Sequence, residues 1–328
     1  MAMKELHEQE GYSISWMCRK LGINRAAYYK WLNRKIPAKE QEDLEIAEKI
    51  KEYHERMGGI LGYRRMTIFL NRREGTDYRP KRIRRIMGIL GIHSSIRRVR
   101  KCCTVSNKKD PKADNLLKRN FEASAPNEKW TTDVTEFKDP RRKGKIYLSA
   151  FMDLYDRSIV AWSVSDRNDN ALVFDTFNKA VAANPNASPL FHSDRGFQYT
   201  SPAFRKLLTD HYMKQSMSRV ACCIDNGPQE AFWGIIKTEM PKLFEYHDRN
   251  SLIEAIGKYI NFYNNERYQE RYDSKTPMEV RTEALQVEKP ILYPIPVNLR
   301  IVKYKQHLAE LSASKNPTGS APIGQALL

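Results

Sequence analysis

Extended and helical patterns alternate in a defined order in the second half of this 328-residue chain. Three β-branched and aromatic stretches come first, separated by short polar segments, with a turn expected at Tyr155–Arg157. Helical and extended segments then alternate as far as Arg267. This order predicts an α/β domain whose sheet begins with a three-stranded meander. The expected strands are Lys129–Phe137, Lys145–Leu154, Ser158–Val164, Leu190–Ser193 and Lys214–Ser218; the expected helices are Asn170–Ala183, Pro202–Asp210, the segment that opens at Glu230, and Asn250–Arg267.

The first segment, Ser13–Asn33, predicts two short helices around a glycine-containing turn. Gly22 can adopt the positive φ that ends the first helix, and Asn24 can cap the second. A helix, a short turn and a second helix form a helix-turn-helix. An ordinary αα-hairpin fits the same periodicity. If the unit binds DNA, Arg25 and Lys30 are its candidate contacts.

A second helical block extends from Glu40 to about Ile92. Breakers at Gly58–Gly62 separate its first two helices, and Pro80 suits the first turn of the third. The expected helices are Leu44–Arg56, Tyr63–Arg72 and Arg79–Met87. Basic side chains crowd the third helix and the residues after it. The candidate DNA contacts are Lys81, Arg82, Arg85, Arg97 and Arg98, with Arg84 and Arg100 adding to the same charge.

The net charge of +17 is concentrated at one end of the chain. Residues 1–120 hold 29 Lys and Arg against 14 Asp and Glu, whereas residues 121–328 hold 27 against 25. A run of charge is often only a solvated face. Its concentration over the predicted helices nevertheless favours contact with a phosphate backbone. Double-stranded DNA is therefore the expected partner.

Other partners and compartments are poorly supported by composition. No stretch approaches about 18 consecutive apolar residues, so no membrane span is predicted. Met1–Tyr12 is too polar for a signal peptide. The five cysteines are odd in number and lack a CxxC spacing, which argues against a disulfide framework and gives little support to zinc binding. We expect a cytoplasmic protein with no membrane partner.

Three acidic residues lie where a metal-dependent phosphoryl-transfer site needs them. Asp133 is on the first predicted strand, Asp194 ends the fourth, and Glu230 opens a helix after 35 intervening residues. Such acids can converge at one edge of a sheet and hold two divalent cations for an in-line displacement at phosphorus. Lys237 lies nearly two turns after Glu230 on the same helix face. Its ammonium could contact a DNA phosphate beside the metals.

Each acid also has a simpler interpretation. Asp133 must be solvated or paired with some partner. Asp194 beside Arg195 could form a local ion pair. Glu230 could merely complement the helix dipole, with Asp225–Asn226 as ordinary caps of that helix. None of these interpretations explains the joint occurrence of three acids, their spacing and a basic residue on the same helix face.

Several short motifs follow one another in a distinctive order. They are Pro126–Thr135, His192–Tyr199, Ser216–Arg219, Asp225–Asn226 with Glu230 and Phe232, Lys237–Glu239, Tyr263–Gln269, and Thr276–Pro277. Over roughly residues 12–282 this pattern resembles the DDE transposases and retroviral integrases. It is most similar to the OrfB transposases of bacterial insertion sequences of family three.

The resemblance implies an α/β RNase-H-like (integrase) catalytic core preceded by all-α helix-turn-helix DNA-binding domains. It implies that Asp133, Asp194 and Glu230 are both the catalytic residues and the metal ligands. Asp133 would bridge two Mg²⁺ ions, for which Mn²⁺ can substitute. Water would first cut the element end to free a 3′-OH, and that 3′-OH would then attack target DNA. The corresponding domains are a helix-turn-helix at 1–38, a second basic helical domain at 39–100, a linker at 101–125, the core at 126–284, and a partly disordered tail at 285–328.

The resemblance also implies partners. Pairing two element ends suggests a homo-oligomer on DNA, and relatives are commonly made as a fusion with an upstream-frame protein. We expect the present chain to bind its ends more weakly than such a fusion, which gel-shift titration of both forms would test. Two other functions remain open: a DNA-binding regulator with an inactive core, and an RNase-H-like nuclease that cuts without joining.

Some residues depart from the family pattern or have an uncertain role. Ala221–Cys222 and Gly227 stand where other small or polar residues are usual, and Tyr272 often corresponds to Leu. These departures put the local loop geometry in doubt rather than the chemistry. Tyr263–Asn264 with Arg267 is expected to pack the last helix on the core, with DNA contact as the alternative.

Overall fold

The computed structural model describes residues 2–96, 115–118, 120–141, 144–219 and 223–295. The strands are β1 (Lys129–Lys138), β2 (Lys145–Asp153), β3 (Ile159–Ser165), β4 (Leu190–Ser193) and β5 (Lys214–Met217). The helices are α1 (Ala2–Glu10), α2 (Ile14–Leu21), α3 (Arg25–Leu32), α4 (Ala38–Arg56), α5 (Tyr63–Glu74), α6 (Pro80–Ile89), α7 (Asn170–Ala183), α8 (Phe197–Thr200), α9 (Pro202–Asp210), α10 (Gly227–Leu243), α11 (Arg249–Asn265) and α12 (Pro277–Leu285). Short 3₁₀ turns span Cys223–Asn226 and Glu270–Tyr272.

The two short helices and the turn predicted for the first segment are present as α2 and α3, an arrangement that fits both a helix-turn-helix and an αα-hairpin. Gly22 ends α2 with φ +66°, and the side chain of Asn24 accepts a hydrogen bond from the backbone N–H of Ala26 at 2.8 Å. Both terminal interactions were expected from residue type. The buried residues of these two helices are Met17, Cys18 and Tyr28.

The helices α4, α5 and α6 form the second basic unit, and their boundaries differ modestly from those expected. Helix α4 begins at Ala38 rather than Leu44, because its first turns are polar and carry no apolar periodicity to detect. Helix α5 continues to Glu74 and α6 to Ile89. Helices α1, α8 and α12 were not predicted at all.

The sheet is mixed and has the order β3-β2-β1-β4-β5. Strands β1, β2 and β3 pair antiparallel, as a meander requires, and the turn at Tyr155–Arg157 places Arg157 at φ +62°. Strands β4 and β5 run parallel to β1. This arrangement puts β1, with Asp133, next to β4, which leads into Asp194.

The two faces of the sheet are covered by different helices. One face packs Trp130, Phe151 and Phe191 against α7 and α9, which contribute Phe177 and Phe204. The other face packs β1 and β2 against α10 and α11, and the same hydrophobic cluster continues into α4, α5 and α6. The basic helical unit is therefore docked on the helices that cover this face of the sheet.

An ion-pair network crosses this docking surface. Glu239 on α10 is 5% exposed and accepts hydrogen bonds from Arg65 of α5, Arg267 and Tyr259 at 2.9–3.0 Å. Tyr268 packs edge-on against Phe69 of α5, with ring centroids 5.0 Å apart. The contact thus combines buried charge with aromatic packing.

Several expectations about the chain ends fall partly outside the described residues. The expected linker at 101–125 is described only at 115–118 and 120–125, and the tail is described only to residue 295. Among the helices that are described, none combines the length and apolar character needed to cross a membrane.

Candidate active site

Asp133 and Asp194 lie just past the point where β1 and β4 stop pairing. The parallel pairing of β1 with β4 ends at Thr131 and His192, and each aspartate lies two residues beyond that last pair. Strand β1 continues beyond this pair to Lys138 in pairing with β2, so Asp133 lies within β1, beside the carboxyl end of β4. The sheet register therefore brings the two strand-borne acids into one region, as expected from the sequence.

The turn after β4 holds the Asp194 carboxylate. The backbone N–H of Gly196 donates to Asp194 Oδ1 at 2.9 Å. A Cβ at position 196 would lie 3.1 Å from that oxygen and 2.8 Å from Gln198 Oε1, so glycine is needed for this close approach. Arg195 instead directs its Nε to the backbone oxygen of Ser218, and within the described residues Asp194 and Arg195 form no ion pair with each other.

Glu230 and Lys237 occupy the exposed side of α10. Glu230 lies in the first turn of this helix, and partial burial raises the pKa of its carboxyl. The Lys237 ammonium lies 5.6 Å from the centroid of the Phe137 ring. Burial lowers the pKa of Lys237, while the negative charges of Glu136 and Asp133 oppose that change. Lys237 is thus electrostatically linked to the first acid of the site.

Asp133 is the most perturbed of the three acids. Burial raises its pKa to about 7, and the negative charges of Asp194 and Glu230 act in the same direction. The N–H groups of Val134 and of the Trp233 indole donate to its two oxygens, at 2.8 and 3.0 Å, and oppose the rise. Burial also raises the pKa of the Asp194 and Glu230 carboxyls. Acids with raised pKa values that lie near one another are frequent at functional sites.

The three acids do not form a closed ligand set as they stand. Within the described part of the chain, no group of three His, Cys, Asp or Glu side chains is close enough together to hold a metal ion. The Asp133 and Asp194 carboxylates accept hydrogen bonds from the Trp233 indole and from the backbone N–H of Gly196, respectively. Carboxylates of this kind nevertheless suit Mg²⁺ or Mn²⁺, which prefer oxygen ligands.

Two buried amides hold the start of α10 against the sheet. Asn226 donates to the backbone oxygen of Thr132 at 2.9 Å, and Gln229 donates to that of Ala150 at 3.3 Å. Asn226 makes no side-chain capping bond to α10, so its interpretation as an ordinary cap was wrong. These two residues position Glu230 near the strand of Asp133, and residue type alone gave no signal for that role.

His192 is a further positioning residue that the sequence did not identify. Its ring nitrogens lie 2.9 Å from Ser216 Oγ and 3.1 Å from Ser218 Oγ. Burial lowers the pKa of this imidazole to about 4, so it is neutral at physiological pH. His192 therefore ties the end of β4 to β5 and its following residues, immediately before Asp194.

The basic residues expected to contact DNA are in different environments. Arg25, Lys30 and Lys81 are exposed. Arg82 and Arg85 are engaged by Asp43 of α4, and Arg82 also by Glu42. Arg97 and Arg98 lie outside the described residues.

The residues around Tyr263 pack the last helix of the core, as expected. Tyr263 is buried with its ring 4.8 Å from that of Phe232. Asn264 exchanges two hydrogen bonds with the backbone of Ile159, at 2.9 and 3.0 Å. Together with the Arg267–Glu239 pair, these contacts confirm the packing interpretation.

The departures from the family pattern have separate outcomes. A Cβ at Gly227 would meet nothing within 4 Å, so alanine would fit there and the glycine changes no packing. Tyr272 is fully buried and donates to the backbone oxygen of Tyr155 at 3.1 Å. Ala221 and Cys222 lie outside the described residues.

Sequence models of known families match most of the chain. A model described as an HTH-like domain matches residues 40–100. Two models described as an integrase core domain match residues 123–223 and 230–285. The core matches together include Asp133, Asp194 and Glu230.

Curated relatives align over most of the chain. It is 35% identical over 283 residues to the putative transposase InsK for insertion sequence element IS150 of Escherichia coli (strain K12), covering 86% of this chain and 98% of that one. It is 32% identical to the insertion element IS600 uncharacterized 31 kDa protein of Shigella sonnei, covering 81% and 97%. The probable transposase for IS1353 of Shigella flexneri is 34% identical, covering 80% of this chain but 50% of that one.

Two solved structures were matched to this chain with low TM-scores. The HTLV-2 integrase catalytic core domain in complex with magnesium has a TM-score of 0.39 and 22% identity, covering 48% of this chain and 97% of that one. The simian T-cell lymphotropic virus intasome in complex with PP2A regulatory subunit B56 gamma has a TM-score of 0.45 and 17% identity, covering 77% and 80%.

Proposed function

This chain belongs to the transposases of family-three bacterial insertion sequences, and from that premise we propose that Asp133, Asp194 and Glu230 are its catalytic metal ligands. Its activity class is DNA recombination by polynucleotidyl transfer. The observation that carries the proposal is the register of β1 with β4, which puts both aspartates near the carboxyl end of β4, where Asn226 anchors the helix of Glu230 to β1. The raised pKa of Asp133 supports it, because a divalent cation would relieve the repulsion among the three acids.

The proposed cofactor is Mg²⁺, with Mn²⁺ as substitute, and two ions would be held with Asp133 between them. When bound, such ions activate an attacking oxygen and stabilise a leaving oxygen. Asp133 is aimed by the Trp233 indole N–H, and Asp194 by the N–H of Gly196. Glu230 is positioned by the amides of Asn226 and Gln229, which anchor its helix.

The proposed reaction has two steps on DNA. Water cuts the element end and leaves a 3′-OH, which then attacks a phosphodiester of the target. Neither step needs a covalent protein–DNA intermediate, so no serine or tyrosine nucleophile is required. Lys237, on the same face of α10 as Glu230, would contact a DNA phosphate beside the acids.

The proposed partners are DNA and further protein chains. The HTH-like domain at 40–100 and the helix-turn-helix of α2 and α3 would bind element ends. Pairing two ends would require a homo-oligomer on the DNA. That a fusion with an upstream-frame protein binds element ends better than this chain stays a prediction, which gel-shift titration of both forms tests.

The proposal is tested by comparing wild type with Glu230→Gln on labelled DNA from the flanks of the gene. With Mg²⁺ or Mn²⁺, wild type should cut and join. Glu230→Gln should bind the same DNA but lose cutting by at least about 100-fold, since removing one group that stabilises transition-state charge costs about that much. Glu254→Gln is the matched control, because Glu254 is exposed on α11 and pairs only with Lys258 at the surface.

The outcomes separate the competing functions. Cutting without joining by wild type would favour a nuclease. Binding without either reaction, with or without an upstream-frame partner, would favour a DNA-binding regulator. Full activity of Glu230→Gln would refute the catalytic assignment itself.

A further inference from the structure

Helix α6 carries its basic residues on two faces with different partners. Arg82 donates from Nε to Asp43 and from Nη1 to Glu42, both at 2.8 Å. Arg85 donates to the other oxygen of Asp43. These guanidiniums are neutralised by α4 and hold α6 against it. They are therefore poorly placed to neutralise an external polyanion.

Lys81 and Arg84 occupy the neighbouring face of α6. They are three residues apart, so their side chains project from the same side of the helix. Both are exposed, and within the described residues neither has an ion-pair partner. The sequence alone could not separate these two residues from Arg82 and Arg85.

Lys81 and Arg84 line a cleft where the helical unit meets the catalytic core. The cleft has a volume of about 420 Å³ and lies between α5, the start of α6 and the loop after α11. Its lining includes Tyr63 and Arg64 of α5, and Glu270 and Ser274 of that loop. Both protein units therefore contribute to it.

The walls of this cleft gather positive charge around one aromatic ring. The guanidinium carbons of Arg84 and Arg64 lie 5.6 and 5.9 Å from the centroid of Tyr63, and Arg64 Nε donates to the Tyr63 hydroxyl at 3.3 Å. Glu270 is the acid of the lining, with Oε2 3.8 Å from Arg64 Nη1 and both side chains largely exposed. Such an open pair contributes little. The cations of the cleft thus remain available to an anion.

We propose that this cleft binds the phosphate backbone of duplex DNA through Arg64, Lys81 and Arg84, whereas Arg82 and Arg85 are structural. The inference rests on the proposed function and specifies which face of α6 contacts the DNA. The Tyr63 ring attracts the guanidinium groups beside it and helps to hold those side chains in place. The cluster of cations raises the local positive potential, which attracts a polyanion regardless of its sequence. Because the loop at Glu270 belongs to the core, DNA bound there would contact both units at once.

The test measures DNA affinity of the full chain against salt concentration, using a fluorescent duplex of arbitrary sequence. Log affinity falls as log salt rises, and each phosphate that the protein no longer neutralises makes this negative slope shallower by about 0.9. The double variant Lys81→Gln with Arg84→Gln should therefore make the slope shallower by about 2. The control double variant, Arg82→Gln with Arg85→Gln, removes the same charge from the same helix and should keep the wild-type slope. Arg84→Lys, made alone, should keep it too.

Thermal unfolding of each variant checks that α6 remains folded. The proposal is overturned if the Lys81 and Arg84 variant retains the wild-type slope, or if both double variants make it equally shallower. The second result would mean that the net charge of α6, and not the cleft, binds DNA. A wild type that binds no duplex would overturn the proposed function and this inference together, which distinguishes that failure from the first two.

Discussion

Asp133 shows how a single residue can be prepared for a cation by its neighbours. Its carboxylate is buried, faces two other acids, and receives only two N–H donors. A buried carboxylate charge without a counter-ion destabilises the fold locally. A bound cation would neutralise this charge and would also take part in the proposed reaction. The proposed metal-binding role of Asp133 would therefore lower the stability of the metal-free fold at this residue.

Replacing Asp194 with Asn should make the metal-free protein more stable. Asn keeps the oxygen that accepts from Gly196 but removes the charge facing Asp133. In EDTA, the free energy of unfolding should rise by about 1 kcal/mol, since one pKa unit corresponds to about 1.4 kcal/mol. Chemical denaturation with and without Mn²⁺ measures this.

Added Mn²⁺ should make wild type more stable than the Asp194→Asn variant, which reverses their order in EDTA. Binding to the folded state alone stabilises wild type by about 2.7 kcal/mol at 100 times the dissociation constant, and the variant should gain much less. A variant that is less stable than wild type in EDTA would contradict the predicted repulsion.

Asp156 gives a pH-dependent prediction away from the site. Arg281 Nη1 donates to both Asp153 and Asp156, at 2.8 and 2.9 Å, in a fully buried network. Burial, then the charge of Asp153, raises the pKa of Asp156 to about 7 against the opposing charge of Arg281. A raised carboxyl pKa means that the folded state binds the extra proton. Stability should therefore fall as pH rises from about 4 to about 7.

The variant Asp156→Asn isolates this effect, because it cannot titrate. The stability of wild type relative to the variant should fall by up to a few kcal/mol over that range, and level off above it. Denaturant titrations at several pH values measure the difference. A difference that does not change with pH would show that Asp156 is already ionised throughout.

Among the helices, α10 contacts two different parts of the molecule with two opposite faces. Glu230 and Lys237 are seven residues apart and share the face toward the acids. Glu239 is nine residues after Glu230, about two and a half turns, and so points the opposite way. It pairs there with Arg65 and Arg267. One helix thus connects the catalytic edge to the basic helical unit.

Replacing Glu239 with Gln should strongly destabilise the contact between α10 and the basic helical unit, and with it the folded protein. Arg65 and Arg267 would keep their charge in a buried setting without a counter-ion, which costs about 3–5 kcal/mol. Glu266→Gln is the matched control, since its pair with Arg73 is largely exposed and contributes less than about 1 kcal/mol. Denaturation midpoints compare the two. Equal destabilisation would show that the buried pairs of Glu239 are no stronger than the exposed pair of Glu266.

At the scale of the whole molecule, the two helical units relate differently to the core. The helices α4, α5 and α6 share one hydrophobic cluster with β1, β2, α10 and α11. Gly58, at φ +52°, approaches α10 so closely that a Cβ would lie 2.0 Å from the backbone oxygen of Lys242. Within the part of the chain that the structure describes, no residue of α2 or α3 belongs to this cluster. The predicted second domain is thus packed as part of the core, whereas the first is not.

Two truncations test this difference. Deleting residues 1–33 should leave the unfolding of the remainder within about 0.5 kcal/mol of the full chain. Deleting residues 1–96 should destabilise the core by several kcal/mol. The deletion removes side chains, such as Phe69, that are fully buried in the shared cluster, and each of them contributes about 1.5–3 kcal/mol. Trp233 fluorescence during denaturation reports the transition. Equal midpoints for both truncations would refute the shared core.

Most elements were predictable because local interactions define them. Helix α7, strand β4 and helix α9 have the boundaries expected, since Asp169 and Ser201 cap the two helices by side-chain bonds and Pro202 starts the second. Helix α12 was missed although Thr276 and Glu279 form a capping box, because its apolar periodicity is weak. The integrase-type core after an HTH-like helical domain is confirmed by the matched family models.

The sequence by itself determined the acids, their spacing, the helix-turn-helix turn and the family, because motif identity and capping depend on residues close together in the chain. Tertiary structure decided what depends on distant partners: that Arg82 and Arg85 are neutralised by α4 while Lys81 and Arg84 face a cleft, and that Asn226 holds a strand instead of capping a helix. Charge pairing and burial are set by residues tens to hundreds of positions apart. Composition shows that such charges exist, but only the fold shows which of them remain available to DNA.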